Sequence, residues 1–315
     1  VAIGFSVITS SPAAATSIGP RGGAAARTSP ASRGGHGACD GRPVVKLLDP
    51  KIDVVFKMLF TAEQNRDLLR SLLTAILEPP HPIVDLAVLN PALPRHLVDD
   101  KAAVLDVRVR LADGTLVDVE MQTQSHAALR PRLLYYWAKL YAGQLKRGVR
   151  YDGLRPAVVV LLADFRVTAL DDWHSVFELR DRKQQALFSE HVRLHVLELP
   201  RHPERSGARV VNWARFLRAR SPEDWSALMS DPDMVRAKAA LEELSQNEDA
   251  QWIAEARDLA LSNHASFMHD ARTEGEAKGR AEGKAAPLLT VLEARGLALT
   301  AEERDLIGQC ADPGV

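Results

Sequence analysis

"LVDVEMQTQ" (residues 116–124) decides how this chain folds. Val117, Val119 and Met121 share one side of an extended strand, and Leu116, Asp118, Glu120 and Gln122 share the other. The preceding "VLDVRVRL" (104–111) alternates too, with Leu105, Val107, Val109 and Leu111 on one face and Asp106, Arg108 and Arg110 on the other. Only "ADGT" separates the two runs, so they form a hairpin whose register must match apolar face to apolar face. A two-residue turn at Asp113-Gly114 would set Arg110 against Val117 and mismatch every pair. A three-residue loop, Ala112-Asp113-Gly114, matches them all and puts Gly114 where a left-handed backbone is needed. Leu105 then opposes Met121, Val107 opposes Val119, Val109 opposes Val117, Arg108 opposes Asp118, and Asp106 opposes Glu120.

Side chains directly opposite across such a pair have Cβ atoms about 4.5–5.5 Å apart. Asp106 and Glu120 at that distance repel unless a cation or a shared proton lies between them. A divalent ion with oxygen ligands is the natural occupant. Arg108 against Asp118 is a favourable charge pair, and Gln122 lies one step along the same face. The plain alternative is a polar face open to water. The added Gln122 and the apolar strands expected around the hairpin favour a site.

Outward from the hairpin, the pattern predicts a short helix over 54–60. A second helix over 61–77 is opened by a Thr61/Gln64 capping box. Strands are expected at 83–90, 156–165, 174–181 and 192–200, and a long helix at 126–148. After Pro200 the strand signals stop, and helices follow at 210–220, 222–229, 233–247 and from 248 onward. The fold class is α/β: a mixed sheet core flanked by helices, followed by a mainly helical C-terminal region. The expected division is a disordered leader over 1–43, rich in Ala, Gly, Ser, Pro and Arg, a sheet domain over 44–200 and a helical region over 201–315.

The chain has 315 residues, is 46% hydrophobic and carries a net charge of −1, so it lacks a basic coat for nucleic acid. Any such binding must use a local patch. Two cysteines, Cys39 and Cys310, make neither a disulfide framework nor a zinc set, and they fit a cytoplasmic setting. No apolar run approaches the roughly 20 residues of a membrane span, so no membrane partner is expected.

Asp106, thirteen intervening residues and then Glu120-Met121-Gln122 resemble the active-site core of PD-(D/E)XK nucleases. The flanks resemble the Rpn family of recombination-promoting nucleases and transposase-related proteins. They are "DPKIDVVFKMLF" (49–60), "DDKAAVLDVRV" (99–109), "VDVEMQTQ" (117–124), "RLLYYWAKLYAGQLKRGVRYDGLRP" (132–156) and "VVVLLADF" (158–165). The resemblance implies a restriction-endonuclease-like core and a DNA endonuclease that uses Mg²⁺, with Mn²⁺ a possible substitute. It makes Asp106, Glu120 and Gln122 the catalytic set. Asp106 and Glu120 become the metal-binding acids, and Asp53 an acid that can complete the shell. Gln122 stands where most of the superfamily has Lys, which removes a cation. Lys57 or Lys101 could supply one. The expected product carries 5′-phosphate and 3′-hydroxyl ends. The runner-up reading is a catalytically weak nuclease-fold protein that binds DNA or a protein partner.

Arg132, Tyr136, Lys139 and Lys146 fall on one stripe of the 126–148 helix and are the expected DNA-binding residues. No base-reading motif is present, so low sequence specificity is expected. His191 and His195, four apart in a strand pattern, are read as structural. Gly275, Gly279 and Gly283 punctuate a charged helix, and the C-terminal helices are a candidate surface for homo-oligomers.

Overall fold

The hairpin read from the sequence lies inside a six-stranded sheet. The computed structural model describes residues 46–90, 106–145, 148, 150–204 and 206–309. These belong to one compact unit, Val44–Val315. The chain enters through α1 (Asp53–Thr61) and α2 (Arg66–Leu77), then forms β1 (Leu86–Val88), β2 (Val107–Leu111) and β3 (Leu116–Gln122). It crosses over through α3 (Leu129–Ala142) to β4 (Ala157–Ala163) and closes the sheet with β5 (His174–Arg180) and β6 (Leu187–Glu198). Five helices follow: α4 (Arg209–Arg218), α5 (Pro222–Leu228), α6 (Pro232–Ser245), α7 (Glu248–Ala294) and α8 (Ala301–Gln309). The strand order is β1-β2-β3-β4-β6-β5. β3, β4 and β6 run parallel, and the remaining pairs are antiparallel.

The hairpin register is the one that face matching requires: Val107 pairs with Val119, Arg108 with Asp118, and Val109 with Val117. The loop has three residues. Leu111 N bonds to Thr115 O at 2.9 Å and Gly114 sits at φ +90°. Asp113 Oδ1 accepts from Thr115 N at 2.8 Å, and this fixes the turn. Leu105 lies outside the described residues, so its pairing with Met121 is not described. β4 is apolar throughout because parallel neighbours flank it and both of its faces are buried.

One apolar core covers the face of the sheet that carries Val107, Val109, Val117, Val119 and Met121. α1 and α2 fill it, and so do residues beyond 200: Trp213, Phe216, Leu228, Met234, Leu241 and Ala254. Phe60 stacks near Trp213 with ring centroids 5.7 Å apart. The change at residue 200 is therefore one of secondary-structure type, with no gap in packing. A smaller core on the opposite face holds Leu129 and Leu133 of α3 against Val159, Leu161 and Val196.

Two helix boundaries differ from expectation. Thr61 closes α1, with its Oγ1 donating back to Lys57 O at 2.7 Å, instead of opening α2. A single turn at Glu63–Asn65 intervenes before α2 begins at Arg66. α3 stops at Ala142, short of the expected 148. Just past it, Gln144 bonds the Arg155 backbone through both amide atoms, at 2.9 and 3.0 Å, and ties the chain to the start of β4. Capping boxes form at Ser221/Asp224, which opens α5, and at Thr300/Glu303, which opens α8.

His191 and His195 go to different partners, with a register shift in the β5–β6 ladder close by. His191 Nδ1 meets Tyr141 Oη at 2.8 Å, and His195 Nδ1 meets His174 Nε2 at 3.0 Å. Burial lowers the pKa of His174, with Glu78 opposing. Burial also lowers His195, to about 3, helped by His174 and Arg193 and opposed by Glu178. A base whose folded pKa lies below its unfolded value adds stability above the unfolded pKa and loses it as pH falls. The melting temperature should therefore drop as pH falls from 6.5 toward about 3. His195→Gln keeps a polar group that does not titrate in this range. It should flatten that decline in thermal melts; an unchanged slope would remove His195 as its cause.

Candidate metal and catalytic site

Asp106, Asp118 and Glu120 each offer a carboxylate oxygen within 4.8 Å of the others. All three are buried, at 3%, 0% and 5% exposure. The sheet places them: Asp118 and Glu120 alternate on the β3 face that packs under α3, and Asp106 immediately precedes β2. Leu129 and Leu133 of α3 pack on the β4 and β6 side chains beside them and keep water from this face.

Each acid has one oxygen held by a neighbouring side chain. Asn90 Nδ2 donates to Asp106 Oδ1 at 3.4 Å and to the Asp106 carbonyl at 3.0 Å, while Asn90 Oδ1 accepts from Arg108 N at 2.8 Å. Arg108 Nε donates to Asp118 Oδ1 at 3.4 Å. Gln122 Nε2 donates to Glu120 Oε2 at 3.2 Å. The other oxygens, Asp106 Oδ2, Asp118 Oδ2 and Glu120 Oε1, are buried without a hydrogen-bond partner. Arg108 Nε also forms an ion pair with Asp106 Oδ2, though without hydrogen-bond geometry. Three buried carboxylates, with Asp118 Oδ2 and Glu120 Oε1 open and Asp106 Oδ2 facing only the Arg108 guanidinium, fit a hard divalent cation.

The electrostatics follow from burial. Desolvation raises the Asp118 pKa, with Asp106 adding and Arg108 opposing. Glu120 is pushed up to about 7 by burial and then by Asp106, with Arg132 and the Gln122 amide opposing. Lys57, 3% exposed on α1, has its pKa lowered by burial, while Asp106 and Asp118 pull it back. Of the two lysines considered as helpers, Lys57 therefore stands near the acids. Lys101 lies outside the described residues.

Asp53 lies elsewhere. Arg257 Nε bonds both of its oxygens, at 3.0 and 3.1 Å, and Arg257 Nη2 bonds Oδ2 at 2.6 Å. This fork pins α7 to the start of α1 and leaves Asp53 outside the acid set. The third acid is Asp118, which the sequence pairing with Arg108 had accounted for as a simple charge pair. Asn90 was also missed. Its signal was only its place at the end of a short strand. On α3, Arg132 and Tyr136 lie near enough to Glu120 to exchange charge effects with it, whereas Lys139 is exposed. Lys146 lies outside the described residues.

A family model described as PD-(D/E)XK nuclease family transposase matches residues 50–271, well over half of the chain. The chain belongs to this family. The resemblance carried by the flanking motifs is thus confirmed, and so is a nuclease- or transposase-related role. The matched span reaches into α7 and so includes the helices that complete the core. Curated proteins and solved structures yield no match. Among the described residues, no helix is long and apolar enough to cross a membrane.

Two outcomes follow for the metal-free protein. Glu120 has a folded pKa above its unfolded value, so its contribution is present below the usual pKa of 4.5 and is lost as pH rises to about 7. Chelator-treated protein should lose stability across that window, and Mg²⁺ should raise the melting temperature more at alkaline than at acidic pH, because binding displaces protons. Asp118→Asn should then raise the chelator melting temperature by at least ~2–4 °C, the shift that about 1 kcal/mol gives a domain of this size. The same change should abolish the Mg²⁺-induced rise. If Asp118→Asn melts lower than wild type in chelator, the carboxylate is structural.

Proposed function

We propose that this protein is a metal-dependent DNA endonuclease of low sequence specificity, acting in recombination or transposition. The observation that carries the reading is the buried set of three acids, with open oxygens on Asp118 and Glu120, in a chain of this nuclease family. Asp106, Asp118 and Glu120 would hold the ion, Mg²⁺ or Mn²⁺. When bound, such an ion supplies Lewis-acid polarisation of a phosphate and a lowered pKa for an attacking water.

The chain's own residues set the stage for that chemistry. Arg108 and Asn90 orient Asp106 and Asp118. Gln122 turns Glu120 through its amide, which leaves Oε1 open. A superfamily lysine at this position would bring charge, whereas Gln122 brings only orientation. α3 and the apolar strands keep the site dry, so fixed charges act more strongly than in water. Lys139, exposed on α3, would meet the DNA backbone, a contact that carries no base preference.

A second reading has one observation in its favour. The Gln122 amide is engaged by Glu120 and adds no positive charge, so the protein could be a weak nuclease that chiefly binds DNA or a protein. Plasmid nicking with Mg²⁺ or with chelator separates the two. Glu120→Gln should lower nicking by at least about a hundredfold, since the metal's role is worth several kcal/mol and each ~1.4 kcal/mol is tenfold. Affinity for DNA should hold or rise. Lys139→Ala should weaken binding to all sequences alike and reduce the salt slope by about 1. Equal slow nicking by wild type and Glu120→Gln, with or without Mg²⁺, would replace the enzyme with the binding protein.

A further inference from the structure

Beside the open carboxylate oxygens lies an open cation. Arg132 Nε and Nη2 are buried without a hydrogen-bond partner. The guanidinium lies 5.9 Å from the Tyr136 ring centroid, which holds it in place. It is close enough to Glu120 to offset part of the rise that burial and Asp106 impose on that acid. Yet no ion pair joins Arg132 to Glu120 among the described residues. Glu120 Oε1 is also without a hydrogen-bond partner.

This arrangement is costly for a purely structural pair. A buried guanidinium beside a buried carboxylate normally forms a fork of parallel hydrogen bonds. Leaving Arg132 Nε and Nη2 and Glu120 Oε1 unpaired forfeits the desolvation of those atoms. The ligand that satisfies both halves brings positive charge to the acids and a pair of anionic oxygens to the guanidinium. A phosphodiester held with a divalent ion has that polarity. We propose that Arg132 binds the non-bridging oxygens of the phosphodiester being cut, supplying from α3 the positive charge that Gln122 lacks. This rests on the nuclease reading and assigns the substrate-binding cation within it. In the reaction a water oxygen bonds to phosphorus and the bond from phosphorus to the 3′-oxygen breaks. The water loses a proton and the leaving oxygen gains one. Charge grows on the non-bridging oxygens as the attack proceeds, and donors fixed at that point stabilise it.

The test uses the full chain with Arg132→Ala and Arg132→Lys. Without DNA, Arg132→Ala should bind Mg²⁺ more tightly than wild type in thermal-shift titrations, because a positive charge beside Glu120 is gone. With Mg²⁺ and plasmid, its kcat should fall on the order of a hundredfold, the loss typical of one such donor. Guanidinium ion at non-denaturing concentration should restore part of that rate, and urea should not. Arg132→Lys should retain more activity than Arg132→Ala. Wild-type cutting by Arg132→Ala overturns the assignment. So does a loss of rate that guanidinium fails to rescue, or one accompanied by weaker Mg²⁺ binding. If wild type shows no metal-dependent cleavage, the nuclease reading fails separately. Arg132 is then decided by binding of a dinucleotide phosphodiester in the presence of Mg²⁺: a loss of tenfold or more in Arg132→Ala supports the assignment, and unchanged affinity overturns it.

Discussion

The chemistry of this fold depends on one guanidinium, that of Arg108. It touches Asp106 and Asp118 at once, across the two strands of a hairpin. Asp118 has no exposure to water. Without Arg108, Asp106 and Asp118 would meet in a dry environment with no cation in contact, where breaking such a pairing costs several kcal/mol. With it, the acids can be buried while Asp118 Oδ2 and Glu120 Oε1 stay open. The clamp also explains why the hairpin register is fixed twice over, once by apolar faces and once by charge.

A comparison within the same sheet separates an acid with an open oxygen from one that is fully bonded. Glu198, at the end of β6, is 1% exposed, as little open to water as the site acids. Its Oε1 accepts from the Val167 and Thr168 amides and the Thr168 hydroxyl, and Arg201 bonds Oε2. Burial would raise its pKa, but those bonds lower it overall. Glu120 has one amide from Gln122 and an open oxygen, and its pKa goes up. Both side chains are screened from water, but Glu120 lies deeper among protein atoms and has fewer of its lone pairs satisfied.

Much of this was legible in the sequence because strand side chains repeat with a period of two. That period, plus one glycine able to sit at φ +90°, left a single register and brought Asp106 toward Glu120. Other features depend on contacts that the period does not encode. Asp53 begins a helix and looks available, but its partner Arg257 lies 204 residues away. Asp118 looked satisfied by Arg108, because pairwise reading cannot show that one guanidinium serves two acids. The stripe on α3 was visible, but which way it faces is set by Leu129 and Leu133 packing on the sheet. The boundary between α1 and α2 failed for a local reason: a threonine hydroxyl can bond backward to its own helix as readily as it can cap the next.

The three acids all come from one hairpin, and this bears on the order of assembly. A hairpin closed by a three-residue loop forms within about 1–10 μs, while it is still bathed in water. Its cover does not come from nearby. β4 pairs Val159 with Asp118 only after the crossover through α3, and closing that longer loop is the slower event. The cost of stripping water from the carboxylates therefore falls on a late step, when α3 settles on a sheet that already exists. Lifting α3 would rehydrate the acids while the strand pairs that carry them stayed intact.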